Sequence, residues 1–156
     1  MCGIFGYKGN KNAGPILYEG LNRLLYRGYD SWGIAVAKDH SLSVEKQIGK
    51  ISDFKKIKTI PFSHSGIAHT RWATHGGVTI KNAHPHYATD HSFVLAQNGI
   101  VENFEELKKE LIKKKYSFIS ETDTEVIVRL IEEERKKAHD LVRAVRRAFQ
   151  KLKGRN

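Results

Sequence analysis

The 156-residue chain is long enough to form one domain with a hydrophobic core. Apolar residues make up 40% of it and charged residues 28%, a composition that excludes an intrinsically disordered chain. No apolar run approaches the roughly 20 residues that cross a bilayer, and no secretory signal precedes Gly6. The one cysteine, Cys2, excludes an internal disulfide and a four-thiolate zinc site. We therefore expect a single cytoplasmic domain with no membrane partner.

The net charge of +10 is concentrated in the C-terminal third of the chain. Residues 107–156 contain 15 Lys and Arg against 8 Asp and Glu, whereas residues 1–106 contain 12 against 9. The acidic residues Glu132, Glu133 and Glu134 interrupt the basic ones. This pattern is typical of a solvent-exposed helix face rather than of a phosphate-binding surface, so we expect no nucleic-acid partner.

The first half of the chain predicts strands around one amphipathic helix. Apolar residues at helical spacing predict that helix over 13–26, with Pro15 in its first turn and Gly28 marking its end. A weaker pattern predicts a short helix over 52–60. Period-two or continuous apolar patterns predict strands over 2–7, 33–38, 42–48 and 65–70.

The second half predicts a long loop, one strand and then helices. The loop, residues 71–91, precedes a strand over 92–97, and a loop of about 20 residues inside a compact domain usually carries function. Three helices then begin at N-terminal capping signatures, the first ending near Lys115: Asn103 with Glu106, Thr122 with Glu125, and Asp140. Strands that precede helices indicate an α+β fold rather than a parallel βαβ array.

Cys2 is the strongest candidate for a catalytic residue. If Met1 is removed, the thiol lies on the same residue as a free α-amine, whose unperturbed pKa is about 7.7–8.0. A nucleophile that is activated by its own N-terminal amine is a known catalytic arrangement. The alternative is an inert cysteine that happens to be the second residue.

Two further blocks could recognise and polarise a small polar substrate. In the first, Arg71 can bind a carboxylate at two points, and it is followed by Trp72, Thr74 and His75. In the second, Asn98 and Gly99 follow an apolar strand. This pair is a turn signal, and it could also present a side-chain amide and a backbone N–H to a developing oxyanion.

Asp123 and the histidines supply the remaining candidates. Asp123 lies at a predicted helix start, from which its carboxylate could face a ligand ammonium. Six histidines between residues 64 and 91 offer a metal site as an alternative, because three imidazoles can hold zinc. They form no His-Glu-x-x-His helix, and Pro85 separates His84 from His86. We therefore expect no metal and no cofactor.

Six blocks of sequence occur in the order of one known family: CGIFG at 2–6, YRGYDSWGIA at 26–35, HTRWATHG at 69–76, NAHPH at 82–86, NGIVEN at 98–103 and SETDTE at 120–125. They resemble the glutaminase domain of the glutamine–fructose-6-phosphate aminotransferase family, which belongs to the class II glutamine amidotransferases. The resemblance covers nearly the whole chain. It implies an N-terminal-nucleophile hydrolase fold, an αββα sandwich of four layers, over residues 1–156.

The resemblance also implies a chemistry. Cys2 would attack the side-chain carbonyl of L-glutamine, expel ammonia and leave a γ-glutamyl thioester. Asn98 and Gly99 would form the oxyanion hole. An amide is a poor electrophile, so a covalent intermediate that splits one hard step into two suits this substrate.

The substrate-binding residues follow from the same resemblance. Arg71 would bind the α-carboxylate of glutamine and Asp123 its α-ammonium, which are the charges that a zwitterion requires. His84 and His86 would have a structural role. Residues that would line the pocket, close it or lie beside the nucleophile are Thr74, His75, Trp72, Arg27 and Gly28.

The sequence departs from the family pattern at two positions and at its end. Gln97 stands where the family commonly has His, and Trp32 where it has a small residue. The family's glutaminase domain continues into further strands and two sugar-isomerase domains. We therefore expect a fragment, a truncated product or half of a split enzyme, with incomplete sheets at its C-terminal end. Its partners would be a separate sugar-isomerase part and a second copy in a homodimer.

Two other functions stay open on the sequence. One is a non-catalytic relic that binds only glutamine or a partner protein. The other is a basic, His-rich protein that binds a metal or nucleic acid. Met1 bears on the first alternative: Cys is a small second residue, so removal of Met1 is expected, and a retained Met1 would block the amine of Cys2.

Overall fold

A computed structural model describes residues 1–53, 60–74, 76–138 and 140–155. The first half of this described chain builds a four-stranded antiparallel sheet with one helix packed on it, in the spatial strand order β1-β4-β2-β3. The elements are β1 (Gly3–Lys8), α1 (Ala13–Arg23), β2 (Ser31–Lys38), β3 (Ser41–Ile48) and β4 (Ser65–Arg71).

Helix α1 forms where the apolar spacing predicts it. The side chain of Asn12 caps it by accepting a hydrogen bond from the Gly14 N–H at 3.3 Å. Leu17 and Leu21 are fully buried against the sheet, where they join the buried side chains Trp32, Ile34 and Val36 of β2. The helix ends at Arg23, before the predicted end, and a 3-10 turn over Leu25–Arg27 continues the chain to Gly28.

The other face of the sheet carries a second, smaller layer. This layer is the antiparallel pair β5 (His86–Tyr87) and β6 (Val94–Leu95). At Gly33 a Cβ atom would overlap the carbonyl oxygen of His84, so the absence of a side chain there lets the segment before β5 lie directly against the sheet.

The helical half of the chain encloses a second core. Its elements are β7 (Ile100–Val101), α2 (Phe104–Lys113), α3 (Asp123–Ala138), α4 (Leu141–Phe149) and β8 (Gly154–Arg155). Helix α3 contacts β5, β6 and β7 and packs against α2 and α4. The layers therefore follow the order α1, four-stranded sheet, short strands and α3. The predicted α+β fold with αββα layers is confirmed.

The three predicted helix starts have different outcomes at their caps. Asp140 caps α4 as predicted, since its carboxylate accepts from the N–H groups of Val142 and Arg143. At α3 the hydroxyl oxygen of Thr122 accepts from the Glu125 N–H at 3.4 Å as predicted, but the Glu125 carboxylate accepts from Ile119 and Ser120 upstream.

The predicted capping by Asn103 is wrong, although α2 begins directly after it. The Asn103 side chain makes no capping bond. Its amide donates to the carbonyl of Lys151 at 3.0 Å and its oxygen accepts from the N–H of Lys153 at 2.9 Å. A contact between residues about 50 positions apart has replaced the local cap.

Three other predictions need correction or completion. The strand predicted over 92–97 is reduced to β6. The predicted loop 71–91 contains β5, and residues 82–86 within it are buried around a cis peptide bond before Pro85. Of the helix predicted over 52–60, a 3-10 turn at Ile51–Asp53 is present, and residues 54–59 lie outside the described part of the chain.

The exposed helix face that the charge pattern predicts is present on α4 but only in part on α3. The side chains of Arg143, Arg146 and Arg147 on α4 face solvent, whereas Arg129 and Glu134 on α3 are buried. Across the described residues, no helix has the length and apolar character needed to span a membrane.

Candidate functional site

The sequence-predicted residues meet where three elements end or begin. Cys2 directly precedes β1, Arg71 is the last residue of β4, and Asp123 is the first residue of α3. They share a small cavity of about 40 Å³. Its lining residues are Cys2, Arg71, Trp72, Thr74, His84, Gln97, Gly99, Thr122, Asp123 and Thr124.

Cys2 is placed by the pairing of β1 with β4. Gly3 lies opposite Thr70 in this pair, which brings the preceding Cys2 beside the residues that follow Thr70. The half-buried Cys2 Sγ accepts a hydrogen bond from the Trp72 N–H at 3.2 Å and lies 3.5 Å from the Trp72 carbonyl oxygen. The thiol is therefore held against the backbone of the long loop rather than inside a core.

Two side chains approach the carbonyl oxygen of Cys2. Arg27 donates to it from Nε at 3.3 Å, and Asn98 donates from Nδ2 at 3.0 Å. The Oδ1 atom of Asn98 lies 3.0 Å from Nε2 of His69. The two residues that were predicted to form the oxyanion hole, Asn98 and Gly99, are exposed and lie beside Cys2. Asn98 contacts Cys2 through its amide, and Gly99 lines the cavity.

The Arg71 guanidinium is buried and already engaged with backbone. It donates from Nη1 to the Gly77 carbonyl at 3.0 Å and from Nη2 to the Gly76 carbonyl at 3.3 Å. Burial lowers the pKa of Arg71 below its ordinary value, and the nearby carboxylates of Asp30 and Asp123 oppose that shift. Arg71 therefore joins the cavity to the glycine segment of the loop.

Asp123 is buried at the N-terminus of α3, where its Oδ2 accepts from the Val101 N–H at 2.9 Å. The first turn of this helix is anchored by Glu125, whose Oε2 accepts from the N–H and the hydroxyl of Ser120 at 2.7 and 2.6 Å. Oε1 of Glu125 accepts from Arg129 at 2.8 Å in an ion pair that is almost fully buried. Asp123 is consequently set on a rigid support.

The remaining predicted residues surround the cavity. Trp72 is exposed, with its ring edge-on to Tyr29 at a centroid distance of 5.5 Å. Thr74 lines the cavity, and His75 lies outside the described residues. A Cβ at Gly28 would lie 2.9 Å from the backbone carbon of Arg71, so only glycine allows these two chain segments to approach so closely.

The structure adds three supporting residues to which the sequence assigned no role. Asp30 accepts from the Ala73 N–H at 2.9 Å and so holds the loop after Trp72. Glu121 accepts from the Gly77 N–H at 3.2 Å and from the Asn82 amide at 2.9 Å. These two hydrogen bonds lower the pKa of Glu121, and the one from Asn82 has the larger effect. Asp30, Asn82 and Glu121 belong to the sequence blocks YRGYDSWGIA, NAHPH and SETDTE. Membership of these blocks is the signal by which the sequence could have indicated a supporting role.

Three histidine rings contact one another at the cavity, which His84 lines. The ring of His84 lies 4.3 Å from that of His69 and 4.8 Å from that of His86 between centroids. Burial lowers the pKa of His69 to about 4 and those of His84 and His86 well below 6.5. Among the residues that the structure describes, no three His, Cys, Asp or Glu side chains are arranged to hold a metal ion.

Comparison with known proteins identifies the class to which this fold and site belong. Residues 52–146 match the family described as "Glutamine amidotransferase domain", and the chain belongs to this family.

The chain is similar to glutamine–fructose-6-phosphate aminotransferase (isomerizing) from two organisms. The Chlamydia trachomatis protein is 48% identical over 155 residues, an alignment that covers 99% of this chain and 26% of the relative. The Methanococcus maripaludis protein is 47% identical over 161 residues, with 99% and 27% covered. The chain thus spans about a quarter of the length of these relatives.

Two solved structures share the fold. Glutamine phosphoribosylpyrophosphate amidotransferase from B. subtilis, complexed with ADP and GMP, superposes with a TM-score of 0.84 at 28% identity, over 99% of this chain and 33% of that one. A structure described as the allosteric regulatory enzyme of purine biosynthesis gives 0.87 at 30% identity, over 99% and 34%. The predicted N-terminal-nucleophile hydrolase fold is confirmed.

Proposed function

We propose that the chain is the glutaminase part of a glutamine–fructose-6-phosphate aminotransferase. It hydrolyses L-glutamine to glutamate and ammonia through a γ-glutamyl thioester on Cys2. The observation that carries this proposal is the meeting of a thiol, a guanidinium and a carboxylate around one cavity: Cys2, Arg71 and Asp123. One cation and one anion are what a free amino acid requires, and the thiol is the nucleophile that its side-chain amide requires.

The proposed reaction has two steps. The Cys2 thiolate attacks the side-chain carbonyl carbon, the C–N bond breaks, and the nitrogen leaves as ammonia after it receives a proton. Water then attacks the thioester, which yields glutamate and restores the thiol. The α-amine of Cys2, free once Met1 is removed, accepts the thiol proton and passes it to the leaving nitrogen.

Negative charge develops on the carbonyl oxygen in both steps. The amide of Asn98 and the N–H of Gly99 are the donors assigned to it, and Asn98 already lies beside Cys2. An Asn amide carries two N–H donors, so the bond to the Cys2 carbonyl leaves one for the substrate oxygen. Losing one such donor typically lowers the rate about 10²- to 10³-fold.

Substrate selection is assigned to the buried charges. Arg71 binds the α-carboxylate and Asp123 the α-ammonium of glutamine, with Thr74 and His75 as further substrate-binding residues. Trp72 belongs to the loop that closes over it. Arg27 supports the nucleophile through its bond to the Cys2 carbonyl, and Gly28 allows that segment to lie against Arg71.

Glutamine binding requires the cavity to open. Its volume of about 40 Å³ is far below the roughly 300–1,000 Å³ of typical ligand pockets. Trp72 is exposed at the edge of the site, and the N–H groups of Trp72 and Ala73 donate to Cys2 and Asp30. We expect these two residues to move outward when glutamine enters.

The acceptor and the partners extend the proposal beyond this chain. The ammonia would serve the conversion of fructose-6-phosphate to glucosamine-6-phosphate by a sugar-isomerase part in the same or another chain. The two relatives from Chlamydia trachomatis and Methanococcus maripaludis are glutamine–fructose-6-phosphate aminotransferases, which supports this assignment. Self-association as a homodimer in the cytoplasm is proposed with it, and light scattering of the purified protein would test the dimer.

The decisive experiment uses protein from which methionine aminopeptidase has removed Met1, verified by intact mass. This protein should release glutamate from glutamine, and Cys2→Ala should reduce release to the uncatalysed background without changing thermal stability. A mass increase that matches a γ-glutamyl adduct should appear after rapid acid quenching. Turnover near wild type in Cys2→Ala would remove the assigned nucleophile.

A binding-only role is the second candidate, and the small volume of the cavity beside Cys2 is the observation that favours it. Isothermal titration of glutamine separates the two. Binding without glutamate release by the Met1-free chain would establish the non-catalytic role. Glutamate release would exclude it.

A further inference from the structure

The orientation of the Asn98 amide is determined by a chain of four polar groups. Nε2 of His69 lies 3.2 Å from the Gln97 carbonyl oxygen and 3.0 Å from Oδ1 of Asn98. At the other end of the same amide, Nδ2 of Asn98 lies 3.0 Å from the Cys2 carbonyl oxygen. The chain thus runs from the backbone at Gln97, through His69 and Asn98, to the nucleophile residue.

The two ends of this chain are obligate acceptors, because a backbone carbonyl has no proton to donate. The Gln97 carbonyl therefore requires a proton on Nε2 of His69. The Cys2 carbonyl requires the nitrogen end of the Asn98 amide. A flipped Asn98 would place its oxygen against the Cys2 carbonyl and its N–H₂ group against the His69 N–H, which are two unfavourable contacts.

The burial of His69 favours the same protonation state. Its Nδ1 is buried, and no described residue supplies a hydrogen-bond partner for that atom. A second proton there would be an unsatisfied buried donor. The rings of His69 and His84 stack at 4.3 Å, and Nδ1 of His84 accepts from the Gln97 N–H at 3.4 Å. His84 thus restrains the same segment from the other side.

We propose that His69 is a positioning residue: its Nε2–H holds Oδ1 of Asn98, and so directs the Nδ2 donors of Asn98 toward Cys2 and the substrate oxygen. The inference rests on the proposed glutaminase function for its kinetic consequence. Without the His69 donor, the bond from Nδ2 to the Cys2 carbonyl would be the one described contact left to select the orientation in which the amide stabilises an oxyanion.

The kinetic test compares two substitutions in Met1-free protein. His69→Leu removes the donor and should lower kcat for glutamine hydrolysis about 10²- to 10³-fold with little change in KM, as for loss of an oxyanion donor. His69→Gln keeps an N–H₂ donor and should recover kcat to within about 10-fold of wild type. Equal kcat values in the two variants would overturn the proposal.

Alkylation by iodoacetamide is the matched control. Cys2 is the one thiol of the chain, and displacement of iodide at a saturated carbon creates no oxyanion. The alkylation rate should therefore be unchanged in His69→Leu. A fall in alkylation as large as the fall in kcat would show that His69 only supports the local fold, and the positioning role would be withdrawn.

Nuclear magnetic resonance tests the geometry without any activity. A long-range ¹H–¹⁵N spectrum of the wild-type chain at pH 7 should show His69 protonated at Nε2 and unprotonated at Nδ1. The Asn98 side-chain N–H₂ resonances should shift in His69→Leu and stay near their wild-type positions in His69→Gln. Protonation at Nδ1 would overturn the inference even if glutamine turnover were absent and the proposed function had failed.

Discussion

The two walls of the cavity differ in how firmly they are held. The nucleophile wall consists of Cys2 and Trp72, with Arg27 and Asn98 bonded to the Cys2 carbonyl, and the recognition wall consists of Arg71 and Asp123. Trp72 is 44% exposed, whereas Arg71 and Asp123 are only 4% and 6% exposed. The recognition wall is also bonded to backbone on both sides, through the Gly76 and Gly77 carbonyls and the Val101 N–H.

This difference predicts separate roles for the two walls. Buried charges are costly unless they are hydrogen-bonded, so the recognition wall must be part of the folded structure before substrate arrives. The nucleophile wall is made of a chain terminus and an exposed loop, which can open and can be processed. Changes in the nucleophile wall should therefore alter turnover alone, and changes in the recognition wall should alter binding, stability or both.

The largest expected effect concerns Met1. A retained Met1 converts the α-amine of Cys2 into a peptide N–H, which cannot accept the thiol proton. General-base assistance is typically worth about 10²- to 10⁴-fold, so the Met1-bearing form should hydrolyse glutamine at least that much more slowly. Glutamate release by the two forms, each verified by intact mass, measures the difference.

Thermal unfolding of the two Met1 forms supplies the control. Met1 is 77% exposed, so its removal should leave the midpoint nearly unchanged. Equal rates of glutamine hydrolysis would show that the free amine is dispensable. A large change in midpoint would show that the nucleophile wall is coupled to the fold.

The next effect concerns the support of the recognition wall, tested by Glu125→Gln. Both carboxylate oxygens of Glu125 accept from donors, so an amide N–H₂ would face at least one donor and would leave Arg129 with a weaker partner. Breaking a buried pair in this way should cost about 3 kcal/mol in the free energy of unfolding. Urea denaturation measures it.

Glu19→Gln is the matched control on α1. Glu19 also forms an i,i+4 ion pair with an arginine, but both side chains are mostly exposed. Its substitution should cost no more than about 0.5 kcal/mol. Similar losses in the two variants would contradict the view that α3 is rigidly supported beneath Asp123.

The third effect is a decrease in the free energy of unfolding at acidic pH, which is caused by the buried His69. Its pKa is about 4 in the folded chain against 6.5 as the ordinary value. As the pH falls below 6.5 the unfolded chain binds a proton that the folded chain does not, so stability present at neutral pH decreases down to about pH 4. The full loss from His69 is on the order of 3 kcal/mol.

Comparison with His69→Gln isolates this contribution. His84, His86 and Arg71 face His69 and remain in both proteins, so only the slope due to His69 should disappear. Urea denaturation at several pH values from 7 to 4 measures both slopes. Identical slopes would mean that His69 binds its proton over the same pH range in the folded and the unfolded chain.

The smallest expected effect is that of Arg71→Lys on glutamine binding. An ammonium cannot reproduce the planar two-point grip on a carboxylate. Hydrogen bonds to charged groups contribute about 1.5–3 kcal/mol, so KM should rise roughly 10- to 100-fold. Hydrolysis of 4-aminobutanamide, which lacks the α-carboxylate, should change little. Equal losses for both substrates would assign Arg71 a purely structural role toward Gly76 and Gly77.

The local elements were predictable because their causes are local. Apolar spacing placed α1 and the β2–β3 hairpin, and the Asp140 carboxylate reaches the N–H groups two and three residues ahead of it. The same holds for the residue types of the site: a thiol at position 2, Arg71, Asn98 and Asp123 stand in recognisable blocks. The sequence by itself thus determined the family, the α+β class and the candidate chemical groups.

Only the tertiary structure decided how those groups are used, because their partners are distant in the chain. Asn103 bonds to residues 151 and 153 instead of capping α2, and the Asn98 amide takes its direction from His69, 29 residues earlier. His84 is buried against Gly33, although it was predicted to lie in a loop. A local pattern indicates which donors and acceptors a segment offers, but burial and the competing distant partners determine which of those hydrogen bonds form.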